Sequence, residues 1–205
     1  MTRAGGDEKG ETMSALAYPI PPRFTYGEYV QWVNDDRWEL IDGEAYLMSP
    51  APTTRHQRVK ARLFNVIFNF LEGKSCEAFD APFDVRLPDH DEADEEVRTV
   101  VQPDIVVICD KAKIDKKGCR GAPDFVVEII SPSTSARDRV EKAALYQRHG
   151  VREYWVVHPD ENWIAVHILG PTGQYSPPRV VLNEGRLSIA TLPGLDIHLD
   201  AVFAP

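Results

Sequence analysis

Nothing in this 205-residue sequence approaches the ~20 consecutive apolar residues of a membrane span. Residues 1–22, MTRAGGDEKGETMSALAYPIPP, hold no apolar run suited to a signal peptide. Cysteine is scarce: Cys76, Cys109 and Cys119 make neither a CxxC pair nor an even disulfide framework. These absences predict a soluble cytoplasmic protein, with no membrane partner and with residues 1–22 as a disordered tail. Positive charge is also short, 23 lysines and arginines against 32 acidic residues for a net charge of -9. That balance speaks against broad phosphate contact, but the charges are unevenly spread. The acidic run DHDEADEE at 89–96 is expected as a mobile loop. Lysines 111, 113, 116 and 117 follow with Arg120, and basic residues gather again at Arg55, Arg58, Lys60 and Arg62 and at Arg137, Arg139, Lys142, Arg148 and Arg152. These clusters are expected to rim any anionic-substrate site.

With 43% hydrophobic residues the chain can bury one real core, so residues 23–205 are read as a single domain. Thr25-Tyr26-Gly27-Glu28 is a capping box opening a short helix to about Asn34. Asp42-Gly43 inside WELIDGEAYLM signals a tight hairpin. Val59, Leu63, Val66, Ile67, Phe70 and Leu71 recur at helical spacing from His56 onward. Strands are expected around 81–87, 101–109 and 125–130, then a helix from Ser135 to His149 stopped by Gly150. EYWVV and WIAVHIL should pair across HPDEN, and a Pro- and Gly-punctuated tail adds further strands. The class is α/β: a mixed β-sheet flanked by α-helices, with an N-terminal β-hairpin and a C-terminal β-rich extension.

One residue contradicts its surroundings. Phe125 to Ile130 is apolar on both alternating faces, as in a strand buried between two layers, yet its fourth residue is Glu128. An ionised carboxylate there costs several kcal/mol unless paired, protonated or bound to a cation. Asp104 opens the preceding apolar run, and if the two strands are neighbours the carboxylates converge. Asp124, four residues before Glu128 and so ~13 Å away along a strand, is too far to share an ion with it and reads as a strand-entry residue. Two converging carboxylates without cysteine or histidine at ligand spacing suit Mg²⁺ or Mn²⁺ and, through it, phosphodiester hydrolysis.

Pro103-Asp104, 23 further residues and Glu128 resemble the PD-(D/E)xK pattern of the restriction-endonuclease-like superfamily. The order WELIDG, QPDIVV, GAPDFVVEIISPST, RDRVEKAALYQRHGV and REYWVVHP over about residues 24–202 resembles, more narrowly, the Uma-two family of restriction endonucleases. The resemblance implies a restriction-endonuclease-like core, a metal held by Asp104 and Glu128, a nucleic-acid substrate with DNA favoured, and often a homodimer. It also implies a lysine two residues after the glutamate, where this chain has Ile130. The substitute it offers is Lys142 on the following helix, a lysine otherwise read as pairing with Asp138. Glu39, in the first hairpin, is the fourth candidate, ranked above Glu44 as completing a metal shell. His56, at the helix start, is a candidate substrate contact. Three rivals stand beside this reading: a degenerate nuclease fold that binds nucleic acid or protein without cutting, a nucleotide phosphohydrolase, and a structural domain whose Glu128 is paired with Arg137 or Arg139.

Overall fold

The computed structural model describes residues 22–33, 36–48, 52–131 and 135–205, with the side chains of 135–139 outside the description. The expected N-terminal tail therefore lies, Pro22 apart, outside the described residues, as do the side chains of Arg137, Asp138 and Arg139. The capping box at Thr25 opens α1 (Tyr26–Tyr29), which is shorter than the sequence predicts. The hairpin follows as β1 (Trp38–Ile41) and β2 (Glu44–Leu47), with Asp42 and Gly43 both at positive φ, 52° and 84°, as a two-residue turn demands. Helix α2 (Thr54–Leu71) is capped by the Thr53 hydroxyl, which accepts from the His56 N–H. Then come β3 (Glu77–Asp80), β4 (Val85–Arg86), β5 (Val100–Val101), β6 (Ile105–Ile108), β7 (Ile114–Asp115), β8 (Gly118–Arg120) and β9 (Phe125–Ile129). Helix α3 (Ser135–His149) ends at Gly150, φ 83°, and is followed by β10 (Glu153–His158), β11 (Trp163–Ile168), β12 (Arg179–Leu182), β13 (Arg186–Ser188), β14 (Asp196–His198) and α4 (Leu199–Val202).

Among the described residues the strands form a mixed central sheet ordered β12-β11-β10-β9-β6-β3, a second sheet ordered β2-β1-β5-β4-β8-β7, and the β13-β14 pair. The central sheet is buried on both faces. Phe125, Val127 and Ile129 pack with Val59, Leu63, Ile67 and Leu71 of α2 and with the C-terminal segment. Val126 and Ile130 face the other way, onto Leu145 and Tyr146 of α3. This two-sided burial is why β9 reads as an unbroken apolar run. The chain passes from the second sheet into the central one at Gln102-Pro103-Asp104, between β5 and β6, where Pro103 has no N–H to continue a ladder.

Two expectations are corrected by pairing across strands. Glu77 lies opposite Ile108 in the antiparallel β3–β6 register, so the next pair is Cys76 and Cys109, and these are joined by a disulfide. Spacing in sequence conceals a contact that register creates. Cys119 is the free cysteine among the described residues, and burial pushes its thiol up to about 12. The acidic segment 89–96 is not a free loop. Asp94, opening a 3-10 turn, accepts both from Arg86 at 2.6 Å and from Lys117, and Arg120 donates to the Glu92 carbonyl.

Glu153 is the second carboxylate buried in this sheet, and it shows how a structural one is satisfied. Its oxygens accept from Trp155 Nε1 at 2.8 Å, the Thr191 N–H at 2.8 Å and the Thr191 hydroxyl at 3.1 Å, tying the C-terminal segment to β10. Burial holds its carboxyl above the usual range. Glu153→Ala strands the indole and amide donors, and a loss of about 2–4 kcal/mol is expected in urea unfolding. An unchanged midpoint would mean that water replaces the carboxylate without cost.

Candidate active site

The β6–β9 ladder pairs Val107 with Phe125, Val106 with Val126 and Ile105 with Val127. One more step along this antiparallel register sets Asp104 opposite Glu128. The Asp104 side chain takes over where the backbone ladder stops: its Oδ2 accepts the Ile129 N–H at 2.8 Å. The carbonyl of the same Ile129 lies 3.0 Å from His56 Nε2, which is also 3.3 Å from Asp104 Oδ2. A carbonyl only accepts, so Nε2 carries the proton. The ring's Nδ1 is buried with no hydrogen-bond partner among the described residues. His56 thus braces Asp104 and the end of β9 from the first turn of α2.

Glu128 points to the opposite face, under α3. Lys142 Nζ donates to its Oε1 at 2.9 Å and the Tyr146 hydroxyl to the same oxygen at 2.7 Å. Lys142 also donates to Glu39 Oε1 at 3.0 Å, and that oxygen accepts the Gln102 N–H at 2.9 Å. Glu39 reaches this point because Leu40 of β1 pairs with Val100 of β5, two residues before Gln102. The four residues Asp104, Glu128, Lys142 and Glu39 therefore meet at one end of the central sheet, drawn from β1, α3 and the ends of β6 and β9. His56 closes the group from α2. Glu39 and Lys142 are buried, 6% and 5% exposed, and the Glu128 side chain keeps 12%.

Among the described side chains, three carboxylates thus face one ammonium, a deficit of two positive charges there when all are ionised and His56 is neutral. The Glu128 carboxyl registers it. Burial pushes it up to about 8 from an ordinary 4.5, Lys142 pulls it down, and Glu39 and Asp104 push it up again. Burial, and then Glu128 itself, hold the Tyr146 hydroxyl well above its usual value, so that it stays a donor.

The donor set can be tested against a divalent cation. No group of three or more His, Cys, Asp or Glu among the described residues is arranged to hold a metal ion. A closed cage of the zinc type is absent there. Mg²⁺ and Mn²⁺ need less, one or two carboxylates completed by water and substrate phosphate. Asp104 and Glu128 fit that requirement. Among the described residues every hydrogen bond to Glu128 falls on Oε1 and every one to Asp104 on Oδ2, and the missing charge equals that of one such ion.

Other expected participants lie elsewhere. Asp124 is at the far end of β9, accepting the Cys109 N–H and pairing with Arg152. Of the basic clusters, Lys142 is inside the site, but most of the other described members do not rim it. Lys111, Lys113, Lys117 and Arg120 follow the far end of β6 and are held by Glu77, the Ala122 carbonyl, Asp94 and the Glu92 carbonyl. Arg55 and Arg62 clamp backbone carbonyls of residues 202–205, and Arg148 pairs with Asp42. Lys60 sits close by, bonded to the Ala81 carbonyl and Asp80, with the Ala81 N–H on the Asp104 carbonyl. Sequence reasoning missed Tyr146 and Gln102. Tyr146 had a signal, its i,i+4 spacing from Lys142 on a helix; Gln102 acts through its backbone, which no side-chain motif reveals.

A mixed α/β fold with two carboxylates at the junction of neighbouring central strands, and a lysine brought over from the next helix, defines a nuclease-like architecture. The family model Uma2, described as "Putative restriction endonuclease", matches residues 26–200, and the chain belongs to that family. An uncharacterized protein of Synechocystis sp. is 27% identical over 190 residues, covering 89% of this chain and 92% of that one. The crystal structure of "a putative nuclease belonging to DUF820" from Anabaena variabilis superposes with a TM-score of 0.70 at 19% identity, over 88% of this chain and 98% of the other. It shares the fold. No helix among the described residues is long and apolar enough to cross a membrane.

Proposed function

We propose that the protein is an endonuclease that hydrolyses phosphodiester bonds of nucleic acid, DNA in preference, with Mg²⁺ or Mn²⁺ held by Asp104 and Glu128. The observation that carries this is the convergence of Asp104, Glu128, Lys142 and Glu39 on one sheet end, where among the described side chains carboxyl groups outnumber cations. The preference for DNA rests on the family's description. A hard cation there supplies Lewis acidity toward the phosphodiester and the attacking water. The chain's own residues do the rest. Lys142, fixed between Glu39 and Glu128, places an ammonium where it can orient a water and balance charge developing on the phosphate. In hydrolysis that water's oxygen bonds to phosphorus, one P–O ester bond breaks, and the proton shed by the water is matched by one gained by the leaving oxygen. His56 keeps Asp104 in place, and its Nε2 is spent on that task rather than on substrate. Glu39 acts as the anchor of Lys142.

A second reading is favoured by Lys111, Lys113, Lys117, Arg120, Arg55, Arg62 and Arg148 being held in contacts away from the site and by Ile130 at the motif lysine position: a nuclease fold that binds nucleic acid or protein without cutting it. Incubating the full chain with single- and double-stranded DNA and with RNA, in EDTA, Mg²⁺, Mn²⁺ or Ca²⁺, separates the two. Cleavage is expected with Mg²⁺ or Mn²⁺, suppressed by Ca²⁺, and absent in Asp104→Asn. Binding without cleavage in every cation would establish the second reading.

A further inference from the structure

We infer that Tyr146 is a positioning residue for the cation site, engaging one oxygen of Glu128 so that the other is left to bind the ion; this rests on the reading above. The Tyr146 ring is fully buried, packed 4.9 Å from the Tyr154 ring, and its backbone carbonyl is fixed by the Val151 N–H at the end of α3. A phenylalanine would fill the same volume. What the hydroxyl adds is one bond, 2.7 Å to Glu128 Oε1.

That oxygen also accepts from Lys142, one helical turn earlier on the same face of α3. Two donors use the two lone-pair directions of a carboxylate oxygen. A carboxylate bound by Lys142 alone can turn about its last side-chain bond and exchange its oxygens, because the ammonium is a rotatable point charge. Adding a donor carried on a rigid ring, at a second angle, removes that freedom. Tyr146 and Lys142 thus share Oε1, while no hydrogen bond among the described residues falls on Oε2. Orienting bonds of this kind around a ligating carboxylate are typically worth about 10–100-fold in metal affinity.

The test is Mn²⁺ affinity of the full-length protein, read from the electron paramagnetic resonance of free Mn²⁺, which needs no catalysis. Tyr146→Phe is expected to weaken Mn²⁺ binding by about tenfold or more, whereas Tyr154→Phe, which removes the hydroxyl of the neighbouring ring, leaves it unchanged. In a Glu128→Gln background the Tyr146→Phe change should have no further effect on residual Mn²⁺ affinity. Equal affinity of Tyr146→Phe and the unaltered protein overturns the assignment. So does equal weakening by Tyr154→Phe, or an undiminished Tyr146 effect without the Glu128 charge, since either marks general loosening of the core. Absence of Mn²⁺ binding by the folded, unaltered protein overturns the metal reading itself and this inference with it.

Discussion

Lys142→Met should lower the rate of phosphodiester cleavage by about two to three orders of magnitude, the usual cost of removing one aligned cationic or hydrogen-bonding group from a transition state. Nucleic-acid binding should hardly change, because Lys142 is 5% exposed and bonded inward to Glu39 and Glu128. In the proposed mechanism this ammonium would meet the reacting phosphate and not the length of a substrate. Single-turnover cleavage in Mg²⁺ gives the first quantity, and fluorescence anisotropy in Ca²⁺ the second. The substitution also leaves two buried carboxylates without their shared cation, a cost on the order of 3–5 kcal/mol that a divalent ion should partly restore. Comparison at a temperature where Lys142→Met is fully folded separates the rate effect from unfolding. Equal rates would remove Lys142 from the mechanism and leave the chemistry without its cation.

Glu128→Gln should flatten the pH dependence of metal-free stability. The folded-state pKa of Glu128 is raised to about 8 from 4.5. Between those values the folded protein holds a proton that the unfolded chain has released, so stability falls as pH rises through this window. The contribution is present below 4.5 and lost by about pH 8, and it amounts to a few kcal/mol at most. Glutamine cannot ionise, keeps an oxygen for Lys142 and Tyr146, and removes the repulsion with Glu39 and Asp104. At pH 8 without metal the variant should melt at or above the temperature of the unaltered protein. Saturating Mg²⁺ at a hundred times its Kd should add about 2.7 kcal/mol to the unaltered protein and little to the variant. Thermal melts from pH 4 to 9, with and without Mg²⁺, read both effects. A variant that instead loses 3–5 kcal/mol at pH 8 would make Glu128–Lys142 a structural ion pair, comparable in role to the Glu153 cluster.

Much of the site was legible because burial forces an explanation for charge. Glu128 stands out in an apolar run, and Asp104 is legible as its partner because it opens the adjacent run. Lys142 was reached through the family resemblance, with Ile130 displacing the expected lysine. The two buried glutamates of the sheet look alike in sequence, however. Glu153 is satisfied by a tryptophan two residues on and a threonine 38 residues away, and Glu128 by a helix that crosses its strand.

By itself the sequence determined the elements and their burial, because helical spacing from Val59 to Leu71, the Asp42-Gly43 turn and the apolar runs of β6 and β9 are local properties of the chain. It determined also that Glu128 needed a partner. Only the tertiary structure decided which groups answer: the register that joins Cys76 to Cys109 and faces Asp104 with Glu128, the helix α3 that brings Lys142 and Tyr146 to Glu128, and the spending of residues such as Lys111, Lys117, Arg55 and Arg148 on acids and carbonyls elsewhere. Register and helix crossing follow from the packing of both sheet faces at once, a sum over contacts distant in the chain, and no local pattern carries that sum.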